Sequence, residues 1–136
     1  MIISKDDYIY VIYIYKSYYD LDIFNYDDIS FLLKKVFIKL NRKYNLMGTF
    51  YIDIYVNDEF GIIMEINNID NNLNYFDVKV KIHLDSLFLN EILYDKEYND
   101  IYFYNNKYYT FFNKKIDGNI IYKDVLDIIN KGIKVK

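Results

Sequence analysis

Apolar and polar positions alternate with two different periods along this chain, and the change of period marks its elements. From Asp28 to Tyr44 the period is helical. Ile29, Leu33, Val36, Leu40 and Tyr44 form one stripe, which Leu32 and Phe37 widen. Asp27 or Asp28 can cap the free amides at the start, and acids there suit the macrodipole, as Lys39, Arg42 and Lys43 do at the other end. Gly48 is the expected stop, which predicts a helix over about 27–47.

Elsewhere the period is two. Tyr8 to Tyr15 is β-branched or aromatic throughout, which predicts a strand covered on both faces. Lys16 to Tyr26 is a connection in which Leu21, Ile23 and Phe24 can extend the strand or form a short edge. Thr49–Val56 and Ile62–Ile66 flank Asn57-Asp58-Glu59-Phe60-Gly61, which predicts a hairpin. Phe50, Ile52, Ile54 and Val56 would face the helix, with Tyr51, Asp53 and Tyr55 outward. Asn67–Asn74 reads as a polar loop.

Tyr75–Leu84 alternates most cleanly. Phe76, Val78, Val80, Ile82 and Leu84 fall on one face, and Asp77, Lys79, Lys81 and His83 on the other, as in an antiparallel sheet with a solvated side. Ser86–Leu93 fits either a short helix or an irregular segment. Ile101–Tyr104 and Lys107–Phe112 flank Asn105-Asn106, a two-residue turn, and Asp117-Gly118 marks another. Ile121–Lys131 reads as a short closing helix.

The expected architecture is α+β: one mostly antiparallel sheet of about five to six strands, with the long helix (about 27–47) and the C-terminal helix (about 121–131) on one face. No linker or repeat interrupts the pattern, so residues 1–136 are expected to form a single domain.

Composition adjusts this picture in two ways. Ala, Gln, Pro, Cys and Trp are absent, only Arg42 and His83 represent their types, and Ile, Tyr, Asn, Lys, Asp and Phe are in surplus. That is the signature of A/T-rich codons and predicts a source genome of very low G+C content. The 18 tyrosines therefore cannot be taken at face value as a binding surface. The 53% hydrophobic content argues against disorder. No apolar run approaches the ~20 residues of a bilayer span. The Met1–Asp7 start lacks a signal-peptide pattern, so a cytoplasmic protein with no membrane association is expected. Without cysteine there is no disulfide and no thiolate metal site.

Candidate chemistry is sparse. His83 stands beside Lys81 and near Asp85 with no motif to complete a triad, and reads as a solvated surface histidine. Asp53 faces Glu65 if Val56 pairs with Ile62. That like-charge pair could hold a divalent cation in a metal-dependent hydrolase, or be neutralised by Lys79 and Lys81. Lys34, Lys35, Lys39, Arg42 and Lys43 could track phosphates, but the net charge of −3 disfavours nucleic-acid binding. Outward tyrosines, namely Tyr51, Tyr55, Tyr102 or Tyr104, and Tyr108 or Tyr109, could stack bases or anchor a protein. No glycine-rich phosphate loop, His-Glu-x-x-His or calcium loop occurs.

The reading that remains is a small non-catalytic protein-interaction module, such as an adaptor, inhibitor or accessory subunit. It would need no cofactor and would bind another protein or a second copy of itself through Tyr51, Tyr55, Lys79, Lys81 and His83.

Overall fold

The computed structural model describes residues 2–18, 25–44, 46–70 and 76–136. They form two compact units, Met1–Asp85 and Ser86–Lys136. In chain order the first carries strand β1 (Ile2–Asp6), β2 (Ile9–Tyr15), helix α1 (Tyr26–Tyr44), β3 (Gly48–Asn57), β4 (Gly61–Asn68) and β5 (Phe76–His83). The second carries β6 (Leu89–Ile92), β7 (Tyr102–Tyr104), β8 (Lys107–Phe111), β9 (Ile120–Ile121), α2 (Val125–Lys131) and β10 (Ile133–Lys134). The α+β class stands. The single sheet is corrected to two five-stranded sheets, ordered β1-β2-β4-β3-β5 and β10-β7-β8-β6-β9. The two helices accordingly belong to different units rather than to one shared face.

In the first unit α1 supplies Ile29, Leu32, Val36 and Leu40 to a core shared with Tyr10, Ile12 and Ile14 of β2, Phe50 to Val56 of β3, and Ile62, Met64 and Ile66 of β4. Ile29, Val36 and Leu40 are buried as the periodicity predicts, and the stripe differs in which leucine is central. Leu32 is central, while Leu33, Phe37 and Tyr44 flank the core partly buried. The stripe was wide enough to accept either leucine, and the sheet beneath it chooses. The helix also ends at Tyr44, short of Gly48, and Asn41 Oδ1 then accepts the Leu46 amide at 2.8 Å.

Gly48 has another task. It opens β3 with φ +105, and a Cβ there would lie 2.1 Å from the Asp70 carbonyl oxygen. Ile69 and Asp70, which follow β4, lie against the start of β3, where the Ile69 amide donates to Thr49 O at 2.8 Å. β5 pairs with β3 and runs parallel to it, in place of the expected antiparallel partner. A clean polar/apolar alternation fits a half-covered edge strand of either sense.

The β3–β4 hairpin has the expected register, Val56 against Ile62 and Asp53 against Glu65. Its turn is fixed by Asn57 Oδ1, which accepts from the Glu59 and Phe60 amides at 2.9 Å each. Strand β1 had no expectation attached. It is a short polar edge joined to β2 through Asp7, whose φ is +49. The possible edge at Leu21, Ile23 and Phe24 lies outside the described residues, as does the loop at 71–75.

In the second unit Leu89, Tyr102, Tyr109, Val125 and Ile128 form the core. Within Ser86–Leu93, Leu89–Ile92 forms a strand and no helix forms. β6 is interior to its sheet, and its buried Asn90 accepts the Asn113 amide at 2.9 Å. Asn105 and Asn106 both take positive φ, 48° and 63°, so the expected two-residue turn forms. The closing helix is shorter than expected, starting at Val125. Ile121, expected as its first residue, instead belongs to β9, which pairs with β6.

Candidate functional site

The side of the first sheet away from α1 carries the sequence-derived candidates. Pairing places Tyr51 beside Lys79, Asp53 beside Lys81 and Tyr55 beside His83, while Asp53 also faces Glu65. Tyr51, Asp53, Tyr55, Glu65, Lys79, Lys81 and His83 are thus neighbours. Alternation along three adjacent strands puts them on one face.

That face is graded. On its β2–β4 side Tyr13, Ile63 and Glu65 are buried, so Glu65 is not on the solvated surface the alternation suggested. On its β3–β5 side Tyr51 remains 45% exposed, and Lys79 and Lys81 are exposed. Between these, Asp53, Tyr55 and His83 are half-buried.

These three make a rigid group. His83 Nε2–H donates to Asp53 Oδ1 at 2.8 Å. A carboxylate can only accept, which makes the ring nitrogen the donor. The imidazole also lies flat on the Tyr55 ring, with centroids 4.5 Å apart and planes 7° from parallel. Its edge is fixed by a charge-capable hydrogen bond and its face by a stack, so His83 is not the free surface histidine the sequence suggested. The contact to Asp53 is diagonal, two positions back along the parallel pair, and was invisible while β5 was read as antiparallel. The available signal was the long 69–75 connection, more than a tight hairpin between β4 and β5 requires. Lys79 Nζ lies 5.6 Å from the Tyr51 ring centroid, a cation–π contact.

Chemically, an aspartate holding an imidazole is the orienting half of a nucleophilic triad. Here the imidazole is also clamped by Tyr55, so the group is stiff as well as polar. Among the described residues no set of three or more His, Asp or Glu is arranged to hold a metal ion, and Asp53 and Glu65 contribute no third ligand. No helix among them is long and apolar enough to cross a membrane.

The other tyrosine candidates divide. Tyr102 and Tyr109 are core residues of the second unit, and Tyr104 and Tyr108 are half-buried. On α1 the polar-side cations rest partly on aromatic rings, Lys35 over Phe31 at 5.2 Å and Lys43 over Tyr44 at 5.2 Å. Lys39 Nζ donates to the Tyr18 hydroxyl at 2.8 Å. Compared with protein-family models, with curated proteins and with solved structures, the chain matches none.

Proposed function

We propose that this protein is a small non-catalytic interaction module whose partner docks on the β3–β5 side of the first sheet. The observation carrying this reading is the Tyr51–Lys79 corner. An exposed tyrosine ring sits under a lysine, next to a Tyr55–His83–Asp53 group already locked in place.

Such a surface loses little conformational freedom on binding, because its aromatic rings and its central hydrogen bond are fixed beforehand. Tyrosine supplies a large contact area with few rotatable bonds, and Lys79 and Lys81 supply charge that selects and orients a partner. The Asp53 carboxylate accepts from His83 through Oδ1, which ties it into this surface.

The test is association of wild type against the Tyr51→Ser/Tyr55→Ser double variant, in matched pull-down experiments with unchanged circular dichroism as the folding control. Loss of association by a few kcal/mol, in the range of hot-spot truncations, is the expected result. Equal retention of partners would remove these tyrosines from the site.

A further inference from the structure

The free edge of β5 has a charge pattern that reads itself. β5 closes the first sheet, and among the described residues no strand pairs on its far side. It is not blunted by proline or by a bulge, its pairing to β3 being continuous from Phe76 to His83. Its α1-side residues leave apolar area in water: Phe76 is 52% and Val80 41% exposed. Its other side alternates Asp77, Lys79, Lys81, all exposed.

We propose that the occupant of this edge is a second copy of the chain, with the two β5 strands pairing antiparallel about a two-fold axis at Val78. The proposal goes beyond the Tyr51–Tyr55 face: it concerns the strand edge beside that face, and the two can be tested separately.

The charges choose the register. Pairing two β5 strands antiparallel with like faces together leaves a short series of alignments, each centred on one residue. Centring on Asp77 sets Asp77 against Asp77, and centring on Lys79 forms two Asp77–Lys81 pairs but sets Lys79 against Lys79 between them. Centring on Val80 sets Lys79 against Lys81 twice. Like charges directly opposite are unfavourable. Centring on Val78 sets Asp77 against Lys79 twice by symmetry and Phe76 against Val80 twice, with no like-charge pair among them. The same alignment therefore couples opposite charges on one face and covers both exposed apolar side chains on the other. The contact is isologous, so it closes at two copies and joins two five-stranded sheets into one, without propagating into a fibre.

The absence of cysteine makes the test direct. In the full chain, Val78→Cys places one thiol on the proposed axis, where opposed Cα atoms of an antiparallel pair lie within disulfide reach. Mild oxidation should give a covalent dimer, while Leu126→Cys, on the exposed side of α2, should not at the same concentration. Sedimentation of the cysteine-free protein should show concentration-dependent dimerisation. Asp77→Lys should raise the dimer dissociation constant about tenfold or more, and Asp77→Lys/Lys79→Asp should restore it, because the swap rebuilds both pairs. The rescue separates an interface role from simple damage to the strand. A wild type that stays monomeric at the highest concentration, equal cross-linking by both cysteine variants, or a double swap no better than the single change would each overturn the proposal. If self-association fails while the Tyr51/Tyr55 variant still loses a different partner, the edge proposal is overturned and the reading of the Tyr51–Tyr55 face stands.

Discussion

Truncating Leu32 tests the helix phase, on which the first unit depends. Leu32 is 1% exposed and sits among the α1 residues that face β2, β3 and β4. Leu32→Ala removes about three methyl or methylene groups, and at ~0.8 kcal/mol each the transfer loss alone is about 2.4 kcal/mol. Incomplete collapse of the space left behind adds to this, giving about 3 kcal/mol within the ~2–5 kcal/mol span of buried leucine truncations. Leu33, one position on, is only partly buried at the margin of the same core, so Leu33→Ala should cost about 1 kcal/mol. The pair shares chemistry and helix propensity, which leaves burial as the difference between them. Thermal or urea unfolding followed by circular dichroism measures both losses. For Leu32→Ala the melting temperature of this unit should fall by about 10 °C or more. Equal losses, or a loss within ±0.5 kcal/mol at Leu32, would mean the helix is rotated from the position described.

Three further outcomes follow from named contacts. Gly48→Ala should destabilise by about 2 kcal/mol or more in the same unfolding assay, because a Cβ meets the Asp70 carbonyl at 2.1 Å and φ is +105; a neutral result would mean that Asp70 does not approach Gly48 so closely. The Tyr13 hydroxyl, which donates to Phe60 O at 3.0 Å, is pushed up to about 12 by burial and then by neighbouring Tyr15. The unfolded chain would lose this proton near 10 and the folded chain near 12, so this contribution to stability is complete below pH 10 and is lost as the pH rises from 10 to 12. Unfolding measured across that window should be less steep in pH for Tyr13→Phe, and an identical slope would refute the assignment. Excess EDTA should leave the melting temperature unchanged, since a metal bound only by the folded state would add stability that chelation removes, and a clear drop would return Asp53 and Glu65 to consideration as ligands.

Long and strongly patterned elements were readable from the chain. The α1 stripe, the β3–β4 hairpin with its Asp53–Glu65 register and the Asn105–Asn106 turn each rest on local periodicity or turn chemistry, and each is present. Decisions made by non-local packing were not readable. Periodicity placed Leu32 and Leu33 on the same broad stripe, and only the opposing sheet separates them. Alternation defined β5 but carries no information on strand sense, so its parallel pairing, and with it the His83–Asp53 contact, stayed hidden. β6 was lost because its four residues include Asn90, a turn-former by preference that here is buried and satisfied by the Asn113 amide. The division into two sheets has the same origin, since hairpins look alike whether they extend one sheet or begin another. The site residues were nameable as a group because alternation assigns faces; which of them were exposed, clamped or buried required the third dimension.

The central claim is that the Tyr51–Tyr55–His83 side of the first sheet is the surface through which the protein associates. Its most direct measurement is sedimentation of wild type and of Tyr51→Ser/Tyr55→Ser, each with its pull-down partners at matched concentrations, with Leu126→Ser on the exposed side of α2 as the control. Wild type and the control should keep the heavier species while the double variant runs as the free, folded chain. An unchanged mass distribution for the double variant would contradict it, and the tyrosines would then record only the codon composition of their gene.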